Sequence, residues 1–500
     1  MSMAVSPLRF VMGIKDSVHG IILLTPLEAE IIQSPYFERL RYLKKTGMAN
    51  LVYPSHNSTR YEHSLGTLRL SFTMLRNALE HYLRRHKDDL REKISDEYKI
   101  WQIYQIIRLA ALLHDIGHGP FSHTSEPILE KVLAEHHKEE YSKMKKLGFD
   151  RAHEFFTYKI ILNEPTIREP IENRGINPLD VASLFAKRPV NTEKMHLKKE
   201  GWRLLRKIID SQLDADRLDN LLRDSMGMGV PYGVVDVDNL LKNIYIYPTK
   251  NGELMLVTHI RALGAVEDML DARYKMYRWL YYHQKVNLLD AISQNAIEKL
   301  LEHDIIRKEK FHWTGYVTDE CRFLDDLKIW YILRNHYNEN DFYLIKGLFN
   351  QDYLPLALWR SYEEHVALIE PFFSDIDIYG MAKKAAALFS RKKILSEFKE
   401  EVENKIGGIE FLAVTREPTT PYDWREGEEV CIYIPPDRVM RITDISLYIS
   451  KLLEMSSKYI HYYLYYYVQN QKRRTIIKHK NKIREKYVNY IKAKIQINQS

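Results

Sequence analysis

Cysteine is nearly missing from this sequence: Cys321 and Cys431 are the two thiols in 500 residues. That excludes a disulfide scaffold and a thiolate zinc cluster, and both are expected to be buried and inert. No apolar run approaches the ~20 residues that span a bilayer. Residues Met1 to Asp16 lack a basic start, a long apolar stretch and a small-residue cleavage site, so no signal peptide is read. No internal repeat or low-complexity linker breaks the chain. The simplest location is cytoplasmic. Acidic or basic excess is also absent from most of the chain. Of the net +7, residues 471–494 alone carry +9, which leaves the remainder at −2.

What is present is globular. Forty-five per cent hydrophobic, 12% aromatic and 28% charged residues supply a sizeable core and exclude disorder over most of the length. A chain this long predicts two or three domains. We expect a mainly α-helical fold with a small β-hairpin insertion and a smaller α+β C-terminal region. The boundaries are placed at 1–310, 311–455 and 456–500, the last a tyrosine-rich segment with a basic tail.

The string DSVHG reads as a turn ending at Gly20, and Phe37 to Lys45 as a short basic helix stopped at Gly47. From Glu62 to Tyr82, Leu65, Leu68, Phe72, Leu75 and Leu79 recur three or four apart and mark one buried helix face. Trp101 to Leu113 is apolar nearly all round, as a core helix is. It ends in His114-Asp115 before Gly117, Gly119 and Pro120. Further helices are expected at 151–162, 202–225, 262–302, through much of 321–402, and at 444–468. Alternation around Asn251-Gly252 predicts a hairpin within 240–260. Strands are expected within 408–436.

Chemistry concentrates in HDIGHGPFSH, residues 114–123. Three histidines and an aspartate at the end of an apolar helix cost several kcal/mol to bury unless they are paired or hold a metal. Imidazole and carboxylate side by side suit a divalent cation, but adjacent ligands need help from other segments. His63 in RYEHSLG and Asp216 in LDADRLDNLLRD can supply it. A cation would offset the repulsion among Asp214, Asp216, Asp219 and Asp224. Capping and salt-bridging with Arg217 and Arg223 is the alternative reading of those aspartates.

Seven collinear segments, IKDSVHGII, FERLRYLKKTG, TRYEHSLGT, LLHDIGHGPFSH, AHEFFT, DADRLDNLLRD and the stretch Arg273 to Val286, resemble the HD-domain phosphohydrolases. Within them the resemblance is to the SAM-and-HD-domain type deoxynucleoside triphosphate triphosphohydrolases, with no SAM domain read ahead of the HD region. It spans roughly residues 10–300. The resemblance implies a dNTP substrate cleaved to deoxynucleoside and inorganic triphosphate, and a homo-oligomer. It implies a divalent metal (Mg, Mn, Fe, Ni or Zn) held by His63, His114, Asp115 and Asp216. His118, His123 and His153 become phosphate-facing histidines, with His123 the general acid and Glu126 orienting it. Arg60 and Arg217 become phosphate contacts, Asp224 the grip on the sugar 3′-hydroxyl, and Tyr281 the ring against C2′. Arg273 and Arg278 line the same pocket.

The sequence departs from the family at Asn220, where a tyrosine is usual, at Tyr282 near the base, and at Gln33 and Glu38 in the regulatory site. Arg41 is kept. Base preference and GTP activation are therefore not carried over. Another metal-dependent nucleotide or phosphodiester hydrolase is the alternative enzyme. HYYLYYYV (461–468) with the basic tail leaves two readings open. One is contact with nucleic acid through residues 471–494. The other is a buried tyrosine-rich helix end. Ile483, Tyr487 and Ile491 further suggest an amphipathic helix docking on a partner or membrane surface.

Overall fold

The structure is a computed structural model that describes residues 8–86, 90–319, 322–337, 339–373, 377–403, 406–416 and 429–496. Cys321 and most of the loop between 416 and 429 lie outside them. The fold is mainly α-helical with small sheets. Two units divide it: Met1–Met276, His303–Ile329 and Tyr422–Ser450 form one, and Tyr277–Glu302, Trp330–Pro421 and Lys451–Ser500 the other.

The first unit opens with a hairpin, β1 (Met12–Asp16) and β2 (Gly20–Leu24), closed at Gly20 with φ +75°. The leucine and phenylalanine stripe is buried along α1 (Arg60–Arg85), which starts two residues before and ends three residues after the stretch the periodicity predicts. Packed on it is α2 (Ile100–Leu113), buried continuously from Ile103 onward, as expected of a helix apolar all round. Next come α3 (Glu126–His136), α4 (Lys138–Leu147) and α5 (Ala152–Asn163).

The helix expected over 202–225 is two, α6 (Lys199–Ile209) and α7 (Ala215–Met228). Asp214 makes the break by accepting from the backbone N–H groups of Ser211 (2.8 Å) and Arg217 (2.7 Å), capping the second helix. The segment expected over 262–302 also divides. Its first part is α8 (Leu263–Met276) in the first unit, and its last is α9 (Gln284–Glu302) in the second, with a π-helical turn at Tyr277–Tyr281. The basic run at Phe37 shortens to single turns at Pro35–Glu38 and Arg39–Tyr42. Its Arg39 is buried and donates to the carbonyls of Ile116 (3.2 Å), His118 (2.6 Å) and Leu324 (3.0 Å), which braces the glycine-rich turn after α2.

The predicted hairpin exists as β3 (Ile244–Pro248) and β4 (Leu254–His259), with Gly252 at φ +82° in its turn. β4 also pairs in parallel with β5 (Cys431–Ile434). Cys431 is half-buried there, and burial raises its thiol pKa.

In the second unit the sequence expectation fails again near its end. The helix expected to run to residue 468 stops at Ser456, and HYYLYYYV is a strand, β6 (His461–Val468). It is the central strand between Leu356–Ala357 and Ile409–Arg416. Both faces are covered, so the tyrosines read as one apolar run, which periodicity cannot assign. Tyr463 and Tyr465 donate to the carbonyls of Tyr282 (2.9 Å) and Gln284 (2.6 Å). No tyrosine platform for stacking bases is exposed on this strand.

The basic tail forms α10 (Lys480–Gln496). Ile483, Tyr487 and Ile491 are buried at 0% exposure, so the apolar stripe is used within the chain and does not wait for a partner or membrane. Of its cations, Arg484 pairs with Glu364, Lys486 with Glu401 (3.3 Å) and Lys494 with Glu397 (2.8 Å). No described helix is long and apolar enough to cross a membrane.

Two histidines of this unit are buried beside aromatic rings. His365 stacks on Trp359 (centroids 4.3 Å apart) with Nε2 2.8 Å from the Tyr487 hydroxyl, and burial pushes it down to about 3. Burial, reinforced by Arg278, pushes His461 down to about 4. Below the unfolded value near 6.5 the unfolded chain binds protons that these rings refuse. Stability is therefore full above that pH and falls as the pH drops toward the folded values. Between pH 6.5 and 5 we expect a loss of about 1.4 kcal/mol per pH unit for each ring. Amide exchange of the 461–468 strand measures it, and His365→Phe should remove one ring's share of the slope.

Candidate metal centre

Three chain segments converge at the N-terminal end of α1. Glu62 reaches back to the backbone N–H of Thr59 (3.2 Å) to start the helix, which puts His63 in its first turn, fully buried. The last turn of α2 presents His114, followed directly by Asp115. The cap at Asp214 places Asp216 in the first turn of α7.

His63 Nε2 stands 3.2 Å from His114 Nε2, 2.8 Å from Asp216 Oδ1 and 3.6 Å from Asp115 Oδ2. His114 Nε2 lies 3.4 Å from Asp115 Oδ2 and 3.6 Å from Asp216 Oδ1. Donors bound to one ion at about 2.1 Å sit about 3 Å apart when adjacent. His63, His114 and Asp216 therefore come together with spacings that fit a cation, and Asp115 stands beside them with Oδ2 also engaged by Arg60 at 2.6 Å.

Both rings are oriented for it by their other nitrogen. His114 Nδ1 lies 2.8 Å from the Ala111 carbonyl, and His63 Nδ1 lies 2.7 Å from Asp219 Oδ2. Donation through Nδ1 leaves the Nε2 lone pairs pointing into the shared space. Asp219 is buried and fully engaged: Oδ1 meets His19 Nε2 at 2.6 Å, and Arg223 donates through Nε (2.9 Å) and Nη2 (3.0 Å). Arg223 Nη1 in turn holds Asp16 at 2.9 Å.

Neighbouring charges set the ionisation of the prospective ligands. Burial opposes ionisation of Asp115, yet Arg60, His114 and His118 hold it well below the usual carboxylate range. Burial likewise opposes Asp216, but His114 and His63 keep it ionised. Burial works against a charged His114 too, and Asp115 and Asp216 override it, carrying its pKa to about 9. A divalent ion would displace that proton.

A second cluster adjoins the first through Asp115, whose Oδ1 lies 3.2 Å from His118 Nε2. His118 stacks on His153 with centroids 3.8 Å apart, and His123 meets His118 edge-on at 4.8 Å. His123 is the exposed member. Glu126 lies 2.7 Å from His153 Nδ1 and accepts from the His153 backbone N–H (3.1 Å). It therefore orients His153, where the sequence reading had it orient His123. Burial opposes ionisation of Glu126, but the adjacent, hydrogen-bonded His153 outweighs it and holds Glu126 down to about 2.

The turn carrying these histidines runs through left-handed Phe121 (φ 59°) and Ser122 (φ 54°). Asp326 pins it, accepting from the backbone N–H groups of Phe121 (2.6 Å) and Lys44 (2.7 Å).

The residues expected to touch substrate each have partners within the chain. Arg60 is buried and donates to Asp115 (2.6 Å), Ser122 (3.0 Å) and the Lys45 carbonyl (3.1 Å). Arg217 pairs with Asp214. Asp224 is buried beside Lys45 (2.7 Å) and His56 (3.4 Å). Arg273 donates to Gln212 (2.7 Å). Tyr281 belongs to the second unit, as does Arg278, which pairs there with Glu363 at 2.5 Å.

Sequence reasoning missed Asp219 as the orienter of His63, although the aspartate cluster pointed at it. It also missed His19, Asp326, and Lys45 with Asn220, which links Lys45 to Asp216 through Nδ2 (2.8 Å). The alternative reading of the aspartates holds for two of them, since Asp214 caps α7 and Asp219 salt-bridges Arg223.

The HD domain model matches residues 60–223. An uncharacterized protein of Methanocaldococcus jannaschii is 32% identical over 289 residues, 58% of this chain and 50% of the relative. The uncharacterized protein YwfO of Bacillus subtilis is 30% identical over 308 residues, 61% of this chain and 57% of the relative. The deoxynucleoside triphosphate triphosphohydrolase SAMHD1 of Homo sapiens is 26% identical over 298 residues, 57% of this chain and 44% of that protein. The chain thus spans about half the length of these relatives. The crystal structure of a hypothetical protein from Aquifex aeolicus shares the fold at TM-score 0.59 and 22% identity, covering 95% of this chain and 99% of that one.

Replacing Asp219 by Asn leaves His63 without its charged partner. We expect metal affinity to fall roughly 10–100-fold, measured by competition with a chelator, with secondary structure retained by circular dichroism.

Proposed function

The chain carries an HD domain over residues 60–223, and from that premise we propose a metal-dependent phosphohydrolase that cleaves dNTPs to deoxynucleoside and inorganic triphosphate. The observation that carries this reading is the convergence of His63 Nε2, His114 Nε2 and Asp216 Oδ1, with Asp115 Oδ2 within 3.6 Å. The similarity to SAMHD1 supports the substrate class.

In this reading His63, His114, Asp115 and Asp216 hold the divalent ion. An ion held there would supply a water of near-neutral pKa and would offset charge on phosphoryl oxygens. Water adds to the α-phosphorus, and the bond from that phosphorus to the 5′-oxygen breaks. His123, the exposed histidine of its cluster, is the donor to the leaving 5′-oxygen; burial, with His118 and Arg60 beside it, holds its pKa well below the ordinary histidine value, so it takes up that proton as the anionic triphosphate binds.

Burial, Arg60 and His153 hold His118 well below the ordinary histidine value. It therefore faces the phosphate chain neutral and contributes by hydrogen bonding. Glu126 occupies Nδ1 of His153 and leaves Nε2 available to a phosphoryl oxygen. Arg60 acts through Asp115, while Arg217 and Arg273 at their less buried positions are the cations for the triphosphate. Asp224 accepts from the sugar hydroxyl while keeping its ion pair with Lys45. A homo-oligomeric, cytoplasmic enzyme belongs to the same proposal.

Purified protein incubated with each dNTP and a series of divalent metals should release deoxynucleoside and inorganic triphosphate, separated by ion-exchange chromatography. Stepwise release of phosphate, or turnover of a nucleoside monophosphate or phosphodiester alone, would replace the dNTP assignment by the alternative hydrolase. Asp216→Ala should lower turnover more than about a hundredfold with the fold retained. His123→Ala should reduce kcat by about 10²–10⁴ with little loss of bound metal.

A further inference from the structure

Outside the HD site the first unit holds another convergence of ligand-type side chains. His137 sits at the start of α4 and Glu140 one turn on, while His312 comes from a sequence-remote stretch of the same unit. One ligand atom from each lies within 4.8 Å of the other two. His137 and His312 stack with centroids 4.4 Å apart, and His312 Nε2 faces Glu140 Oε2 at 2.5 Å.

The surroundings orient each donor. His312 Nδ1 lies 2.8 Å from the Thr314 hydroxyl. With Nδ1 donating there, the Nε2 lone pair points at a carboxylate oxygen, and either a shared proton or a cation must separate the two. Lys159 takes the opposite oxygen of Glu140 at 2.7 Å, which leaves Oε2 directed at His312. The edge of Phe156 packs on the His312 ring with centroids 5.3 Å apart. This is the support that metal-binding histidines and carboxylates usually receive.

We propose that His137, Glu140 and His312 form a second metal site, for a borderline divalent ion of the zinc type. Two imidazoles and one carboxylate, with a coordination position left over, form a ligand set that zinc accepts and that hard calcium or magnesium does not favour. The site shares no residue with the HD cluster and does not depend on the activity proposed above. An ion there cross-links α4 to the segment carrying His312, so it stabilises the first unit by mass action. Coordination asks His137 to swing from its stack onto the ion, and its half-buried position allows that.

The test uses the full chain, stripped by a chelator, loaded with Zn²⁺ alone and desalted, with zinc counted by plasma mass spectrometry. Wild type should retain about one equivalent per chain more than His137→Gln or Glu140→Gln. Asp216→Ala should keep that equivalent, and so should His136→Gln, which removes an exposed neighbour outside the site. Zinc should raise the thermal midpoint of Asp216→Ala but not of Asp216→Ala combined with His137→Gln. His312 is buried and its loss endangers the fold, so the half-buried pair carries the test. Equal zinc in wild type, His137→Gln and Glu140→Gln would overturn the site and leave the 2.5 Å contact as a shared proton. Loss of the same increment in His136→Gln would also overturn it, because the zinc would then be adventitious at the surface.

Discussion

Two imidazoles and two carboxylates stand within 3.6 Å of a neighbour in a largely buried space, and no such group tolerates burial alone. A lone buried charge costs several kcal/mol even after relaxation. Around the site the first unit meets this cost by facing each such group with a partner. Asp216 faces His63 and His114; His63 turns its other nitrogen to Asp219; Asp219 faces Arg223 and His19; Arg223 ends on Asp16. Removing one partner exposes the next, so the network holds its geometry as a unit.

That network explains why elements far apart in sequence are fixed to each other. A single face of α7 supplies Asp216, Asp219 and Arg223, spaced by three and four residues, so one helix contributes a prospective ligand, the orienter of another ligand and the cation that stabilises the orienter. The β1–β2 turn contributes more than a change of direction. Asp16 Oδ1 accepts from the N–H groups of Val18 (2.9 Å) and His19 (2.8 Å), and its other oxygen holds Arg223. His19 in the same turn closes on Asp219. The N-terminal hairpin is thereby a support for His63, which no local feature of its sequence reveals. Asp115 plays the matching part on the other side: one oxygen faces the prospective ion and Arg60, and the other faces His118. The ligand cluster and the histidine cluster are coupled through one carboxylate.

How much of this could be read from the sequence depended on range. The helical stripe of α1, the all-apolar α2, the Asn251-Gly252 hairpin and the His-Asp string after α2 are local patterns, and each matches the structure. The breaks at 210–214 and 277–283 were not read, because Asp214 as a cap and a π-helical turn leave the apolar spacing intact on either side. The strand at 461–468 was missed for a different reason. A short, wholly buried run has no polar face to set its period, and its pairing partners are supplied by residues 356–357 and 409–416. In the site, ligand-type residues announced themselves by being polar in apolar surroundings. Their supporters did not: Asp219 was one aspartate among four, Lys45 the end of a basic run and Asp326 a residue of an expected helix, and tertiary contact is what buries them.

Two glycines show how backbone spacing becomes chemistry. Gly66 lies one turn past His63 on α1, and a Cβ there would collide with the Asp219 carboxylate and the Arg223 guanidinium. The two helices can approach closely enough for Asp219 to reach His63 Nδ1 because position 66 carries no side chain. Gly117 does the same between the turn after α2 and α5, where a Cβ would strike the His153 carbonyl and the Thr157 backbone nitrogen. Its own N–H donates to the Thr157 hydroxyl at 3.1 Å, and that hydroxyl donates to the His114 carbonyl at 3.0 Å. Two packing contacts that admit no side chain thus set the separation of α1 from α7 and of the His-Asp turn from α5. The orientation of His63 and the stacking of His118 on His153 both follow from those separations. Glycine at these points is as much a condition of the site as the residues that carry its charge.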